Sequence, residues 1–263
     1  MKRPFENDIE ALITDFIRSQ GGKTVVEKLG FQPNYNNADY IFEKENIIIE
    51  LKCLEKDIFS ESDDKERNEI LLNKWISENI ISLSDLLLII LGRKELPQTC
   101  LEEILKLTRK TFQRILEKAN KQLSVTKKEI GNSETKKFLM LCNDGNYFLT
   151  HEEIIGLTYS ILSSRQEMNV DCIIYFTINQ ASVIENSDLD WHLWVPAYNC
   201  DPEDNTMGTF VNELGRRLNL FIIDRFGIAV SEHNEIEDKE TGTDIIKKMD
   251  YIPKEIIYKN NNS

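Results

Sequence analysis

Residues 47 to 52 read Ile-Ile-Ile-Glu-Leu-Lys, and just upstream Ala38 to Phe42 read Ala-Asp-Tyr-Ile-Phe. Both runs are rich in the β-branched and aromatic residues that favour strands, and the polar stretch Glu43 to Asn46 lies between them. Two short strands joined by a tight polar connection follow from that pattern. With Lys44 and Glu45 as the loop residues, Ile41 stands opposite Ile48 and Asp39 opposite Glu50. Alternation then places Tyr40, Phe42, Ile47, Ile49 and Leu51 on one face, and Asp39, Ile41, Ile48, Glu50 and Lys52 on the other. Carboxylates facing each other across a strand pair repel. Because Ile41 and Ile48 share their face, that face is expected to be covered, and a covered pair of carboxylates needs a compensating cation. Lys52 or a bound metal ion can supply it, so a salt-bridged amphipathic hairpin and a metal site are both open on these residues alone.

Around the hairpin, helical and strand patterns alternate. Phe5, Ile9, Leu12, Ile13, Phe16 and Ile17 recur at helical spacing, with Asn7 or Asp8 as cap and Gly21-Gly22 as stop. A strand is expected over Lys23 to Lys28, followed by Gly30 and a turn-rich stretch from Gln32 to Asn37. Helices are expected around 65–79 and 82–91, the latter carrying the apolar run Leu86 to Leu91 as a buried segment, and residues 57–97 read as a helical insertion. Further on, Phe138 to Cys142 reads as a strand ending in the turn Asn143-Asp144-Gly145. Thr150 and Glu153 form a capping box for a helix to about Ser163. Val170 to Ile178 reads as a strand buried on both faces, Asp190 to Tyr198 as another strand, and Gly208 to Leu220 as a helix. Strands separated by helices predict an α/β fold in which one sheet extends across a single domain, residues 1–263, with a polar tail from about Ser231 that is partly mobile.

Charge and composition narrow the function classes. No apolar run reaches the roughly 18 residues of a membrane span, and the first residues lack the apolar region of a signal peptide. Five cysteines without Cys-x-x-Cys or Cys/His spacing point to reduced thiols in a cytoplasm, and three histidines far from any Cys pair argue against zinc. The net charge of −13 sits awkwardly with a phosphate-binding partner, since such binding relies on Lys and Arg. The charge is uneven, however: residues 101–128 hold eight basic and three acidic residues. There Leu101, Leu105, Thr108, Phe112, Ile115, Leu116, Ala119 and Leu123 form a helical apolar stripe, with Lys106, Lys110, Arg114, Lys118 and Lys121 along the opposite side. That row is either a solvated face or a track for a phosphate backbone.

An Asp, a hairpin of about ten residues, and then Glu-x-Lys after an apolar run resembles the PD-(D/E)xK nuclease superfamily, which includes restriction enzymes, junction resolvases and phage-type exonucleases. The matching residues are Asp39, Glu50, Leu51 and Lys52, with Ala38 in place of the usual Pro, where the side chain does no chemistry. The resemblance covers roughly residues 5–53 and implies a restriction-endonuclease-like core: a helix, an antiparallel three-strand start, a helix and further strands. It implies that Asp39, Glu50 and the main-chain carbonyl of Leu51 hold Mg²⁺ or Mn²⁺, with Lys52 completing the catalytic set. It further suggests a supplementary acid on the first helix, Glu6 or Glu10, and a Gln or Lys on a later helix, Gln122 or Lys118, directed at the site. Which helix completes the core, one within 57–97 or the basic one, is left open by the sequence.

The activity expected from this resemblance is metal-dependent hydrolysis of phosphodiester bonds, in DNA rather than RNA. Lys110, Arg114, Lys118 and Lys121 are then candidates for nucleic-acid contacts, and a homo-oligomer or a protein partner stays possible. Two other classes remain beside it. One is a catalytically weak binding or assembly module of the same fold. The other is an acidic interaction or inhibitor protein, which the net charge would suit.

Overall fold

The computed structural model describes residues 8–54, 62–91, 93–144, 149–165, 168–179, 182–183, 190–199, 206–226 and 256–257. In chain order its helices are α1 (Ile9–Ser19), α2 (Val25–Leu29), α3 (Ser62–Ser77), α4 (Leu83–Ile90), α5 (Gln98–Ile130), α6 (His151–Ser164) and α7 (Thr206–Phe226). The strands are β1 (Lys23–Thr24), β2 (Tyr40–Phe42), β3 (Ile47–Leu54), β4 (Lys136–Asn143), β5 (Cys172–Thr177), β6 (Ser182–Val183), β7 (Asp190–Trp191), β8 (Trp194–Tyr198) and β9 (Ile256–Ile257). The fold is α/β with a mixed sheet of order β1-β2-β3-β4-β5-β8-β9, and β6 with β7 forms a separate ribbon.

Strands β1, β2 and β3 are antiparallel, whereas β3, β4 and β5 run parallel. Parallel neighbours need a crossover, and the long helix α5 ends the one between β3 and β4. One sheet face packs on α1 and α7 through Leu12, Phe16, Val211 and Leu218. The other packs on α5 and α6 through Phe112, Leu116, Leu123 and Ile161. Every residue of β5 is buried, as expected of a strand covered on both faces.

Helix α1 follows from its sequence. Asp8 accepts the N–H of Ala11 as N-cap, and Ile9, Leu12, Ile13, Phe16 and Ile17 are all buried. Gly21, at φ +85°, turns the chain out of the helix. Gly22 then lies so close to Ile17 and Phe42 that a Cβ there would stand 2.6 Å from the Ile17 side chain. Phe5 and Glu6 lie outside the described residues, as does nearly all of the tail from Ser231. Within that tail, Ile256–Ile257 pairs parallel with β8.

Four expectations need correcting. The strand over Lys23 to Lys28 stops at Thr24, because Thr24 and Glu27 form a capping box that starts α2 at Val25. The capping bonds outweigh the strand preference of two successive valines. The strand Asp190 to Tyr198 is broken at His192 and Leu193: β7 pairs with β6, while β8 joins the main sheet antiparallel to β5. At the start of α5 the buried stripe is Cys100 and Ile104, one residue out of step with the exposed Leu101 and Leu105. The stripe turns there because it packs on a satellite core with Leu71, Trp75 and Ile81 of the helical segment rather than on the sheet. Finally, Leu87, Leu88 and Leu91 are exposed instead of buried, since only one side of the short α4, Leu86 and Ile89, reaches that satellite core.

Candidate active site

Strand register brings the charged residues together. Tyr40 pairs with Ile49, Ile41 with Ile48 and Phe42 with Ile47, so Asp39 is the next residue out on its chain and Glu50 the next on β3. The Asp39 N–H donates to the Ile49 carbonyl at 3.1 Å. The Asp39 carboxylate in turn accepts the Leu51 N–H at 2.8 Å through Oδ2. A strand residue's N–H and C=O face the same neighbour, so the Leu51 carbonyl is also turned toward the Asp39 side of β3. The faces sort by alternation: Tyr40, Phe42, Ile47, Ile49 and Leu51 belong to the core under α1, and Ile41 and Ile48 to the core under α5.

Glu50 is fully buried. Its Oε1 accepts from the Lys52 ammonium, and its Oε2 has no hydrogen-bond partner among the described residues. Burial above all, and the neighbouring Asp39 carboxylate next, push the Glu50 carboxyl up to about 8, despite the opposing pull of Lys52. The Asp39 carboxyl is raised as well, chiefly by burial, with the Leu51 N–H and Lys52 acting against the shift. Two carboxyl groups in one desolvated place thus hold at least one proton more firmly than either would in water. A buried carboxylate oxygen without a partner is costly, and either a proton or a cation relieves it.

Helix α5 supplies the cover. Gln122 accepts from Lys52 Nζ at 3.2 Å and donates to the Asn37 carbonyl at 3.0 Å. One turn later the buried Thr126 hydroxyl accepts the Ala38 N–H at 2.7 Å. The helix therefore fixes both Lys52 and the chain entering Asp39. Lys118 lies near enough for its charge to weigh on both carboxyls. Lys110, Arg114 and Lys121 are exposed along the same helix, over a row of about 16 Å at the helical rise.

Beside Asp39 opens a cleft of about 600 Å³, lined by Glu10, Thr14, Tyr40, Leu51, Gln122 and the loop from Gln32 to Asn37. Glu10 is on its wall, exposed, and the Thr14 hydroxyl meets the Tyr40 hydroxyl at 2.9 Å. Glu50 and Lys52 do not line the cleft. Asp39 and Leu51 are the lining residues nearest to them, Leu51 standing between the two on β3. Among the described residues no group of three or more His, Cys, Asp or Glu side chains converges on one point. The oxygens available to a cation here are those of two carboxylates and the Leu51 carbonyl.

Thr14, Tyr40, Asn37 and Thr126 are the contributors that sequence reasoning missed. Helix capping patterns and strand alternation do not report on hydroxyls whose partners come from distant elements. At the far ends of β4 and β5 another polar group is buried. Asn143 donates to the Tyr175 hydroxyl at 3.1 Å, that hydroxyl meets His151 Nδ1 at 2.6 Å, and Asn179 donates to Asp144. Desolvation lowers the His151 pKa. The bond between His151 and Tyr175 ties α6 to the sheet.

Comparison of the chain with protein-family models, with curated proteins and with solved structures returns no match.

Proposed function

We propose that this chain is a metal-dependent nuclease of the restriction-endonuclease-like type, hydrolysing phosphodiester bonds of nucleic acid, DNA in preference to RNA. The observation that carries the proposal is the carboxyl pair of half-buried Asp39 and fully buried Glu50, tied to Lys52 beside an open cleft, with one Glu50 oxygen left without a partner among the described residues. The arrangement of α1, the antiparallel β1-β2-β3 and the α5 crossover to a parallel β4 also suits that core.

The donor set fits a hard cation. Mg²⁺ is commonly held by only one or two carboxylates and keeps waters and substrate phosphates in its remaining positions. Asp39, Glu50 and the Leu51 carbonyl would hold it. When bound, such an ion supplies charge stabilisation at the phosphate and acidifies water. The chain's own residues do the rest. Lys52, oriented by Gln122, hydrogen-bonds the attacking water and offsets negative charge as its oxygen adds to phosphorus. The attacking water gives up a proton to solvent, the bond to the leaving oxygen breaks in line with the attack, and that oxygen takes up a proton from solvent. Lys118 adds positive charge on the α5 side.

Incubation of the purified chain with linear duplex, plasmid and single-stranded substrates in Mg²⁺ or Mn²⁺ tests the proposal. Cleavage that vanishes in EDTA and in both Asp39→Asn and Lys52→Ala is expected. Cleavage that survives those substitutions, or is absent from every substrate with either metal, overturns it.

A further inference from the structure

The cleft has an unusual lining for a surface meant to grip phosphates. Among the described residues no Lys or Arg lines it, and the described lining instead includes two acids, Glu10 and Asp39. The basic groups lie outside it, on the exposed side of α5. One wall is the loop Phe31-Gln32-Pro33-Asn34-Tyr35-Asn36-Asn37, in which amide and aromatic side chains alternate. Gly30, at φ +75°, ends α2 and starts the loop. Pro33 is buried and anchors it, while Gln122 holds the Asn37 carbonyl from α5. Gln32, Asn34 and Asn36 line the cleft without a hydrogen bond to another described residue. Tyr35, partly buried near Glu129, lines it too, and Phe31, which precedes the lining residues in the chain, is 62% exposed.

Free carboxamides are matched donor and acceptor pairs suited to nucleobase edges, and aromatic faces suit base stacking. A cleft of about 600 Å³ falls in the range of small-molecule sites, about 300 to 1,000 Å³. It has the scale of one or two nucleotides and not of a duplex. Inside a duplex, moreover, the pairing edges are occupied and the base faces are stacked.

We propose that this cleft binds an unpaired nucleotide, reading its base with the 31–37 loop, so that the substrate of the neighbouring carboxylate site is single-stranded nucleic acid. The phosphate of that nucleotide lies at the cleft's inner end against Asp39, and the strand continues past Lys118 along α5. This deepens the nuclease proposal and depends on it for the chemistry, though not for the binding.

The test is fluorescence anisotropy in EDTA, where no cleavage interferes. The probes are a short labelled mixed-sequence DNA strand, the same strand annealed to its complement, and the RNA strand of that sequence. Single strands should bind at least about tenfold more tightly than the duplex. Tyr35→Ala should weaken single-strand binding by about 5- to 150-fold, the effect of one lost base stack. Tyr35→Phe should restore most of it, and Asn34→Ala with Asn36→Ala should flatten differences between homopolymer strands. Unchanged melting temperatures show that the variants remain folded. A preference between the DNA and RNA strands identifies the sugar, and either direction supports the proposal. Equal binding of strand and duplex, or a folded Tyr35→Ala protein that binds as wild type does, overturns it. In that event, Mg²⁺-dependent cleavage lost in Asp39→Asn would still uphold the nuclease. Conversely, single-strand binding that needs Tyr35 in a protein with no cleavage would uphold the cleft and reject the nuclease.

Discussion

At the scale of single residues, Glu50 carries the most free energy at risk. Its carboxyl is pushed up to about 8 in the folded chain, from an ordinary value near 4.5, by burial and by Asp39. A raised carboxyl means that the folded state holds a proton that the unfolded state releases. Stability therefore falls as pH rises from about 4.5 and levels off above about 8, with a limiting slope of about 1.4 kcal/mol per pH unit. In EDTA, Glu50→Gln should remove most of that dependence: near wild-type stability at pH 5, and greater stability than wild type at pH 9. Urea unfolding across that range measures it. If the Lys52 pairing were instead the dominant contribution, the substitution would strand a buried ammonium and destabilise at every pH, by about 3 to 5 kcal/mol. Gln122 shows how closely position depends on one amide. Gln122→Ala leaves the Asn37 carbonyl without its donor and Lys52 without its acceptor on α5. A loss of about 1 kcal/mol in unfolding free energy is expected, together with a slower cleavage rate, since Lys52 loses its orientation.

Among the elements, α5 and the β2-β3 hairpin decide the site, and they differ in how far the sequence exposed them. The hairpin register could be read because alternation forces it: a slip of one residue would turn Glu50 into the α1 core and Ile49 out of it. The α5 stripe could be read from Thr108 to Leu123 but not before, because Leu101 and Cys100 both fit helical periods. Only the satellite core of Trp75 and Ile81 selects Cys100. The start of α2 was hidden by Val25 and Val26, whose strand preference masks the Thr24 and Glu27 capping box. Thr24→Ala should therefore cost about 1 kcal/mol, measurable by chemical denaturation. For α5 the expectation concerns salt. If Lys110, Arg114, Lys118 and Lys121 track a phosphate backbone, each neutralised contact should lower the slope of log K against log salt by about 0.7 to 0.9. Titrating binding of labelled DNA in rising KCl for Lys110→Ala and Lys121→Ala measures this, and unchanged slopes would assign the row to solvated surface.

For the molecule as a whole, the uneven charge and the buried carboxylates act together. The chain carries −13 overall, yet its one strongly basic stretch, residues 101–128, lies along the helix that covers the site. No helix among the described residues is long and apolar enough to cross a membrane, and Cys53, Cys100, Cys142 and Cys172 are free thiols. An acidic surface alone would collect Mg²⁺ diffusely, at many weak points, and bind it to folded and unfolded chains alike. A specific site binds only the folded chain and stabilises it by RT ln(1 + [Mg²⁺]/Kd), about 2.7 kcal/mol at one hundred times Kd. Because the ion competes with the proton that burial holds on Glu50, its apparent affinity should rise as pH approaches about 8. The expected outcome is a melting temperature that Mg²⁺ or Mn²⁺ raises in a saturable way, more at pH 8.5 than at pH 6. In Glu50→Gln, where one carboxylate is gone and only the proton on Asp39 competes, the rise should shrink and its pH dependence weaken. Lys52→Ala keeps both carboxylates and should keep the rise. A rise that is unsaturable, independent of pH and equal in wild type and Glu50→Gln would mean that the acidic surface, and not the carboxylate pair, is what the metal meets.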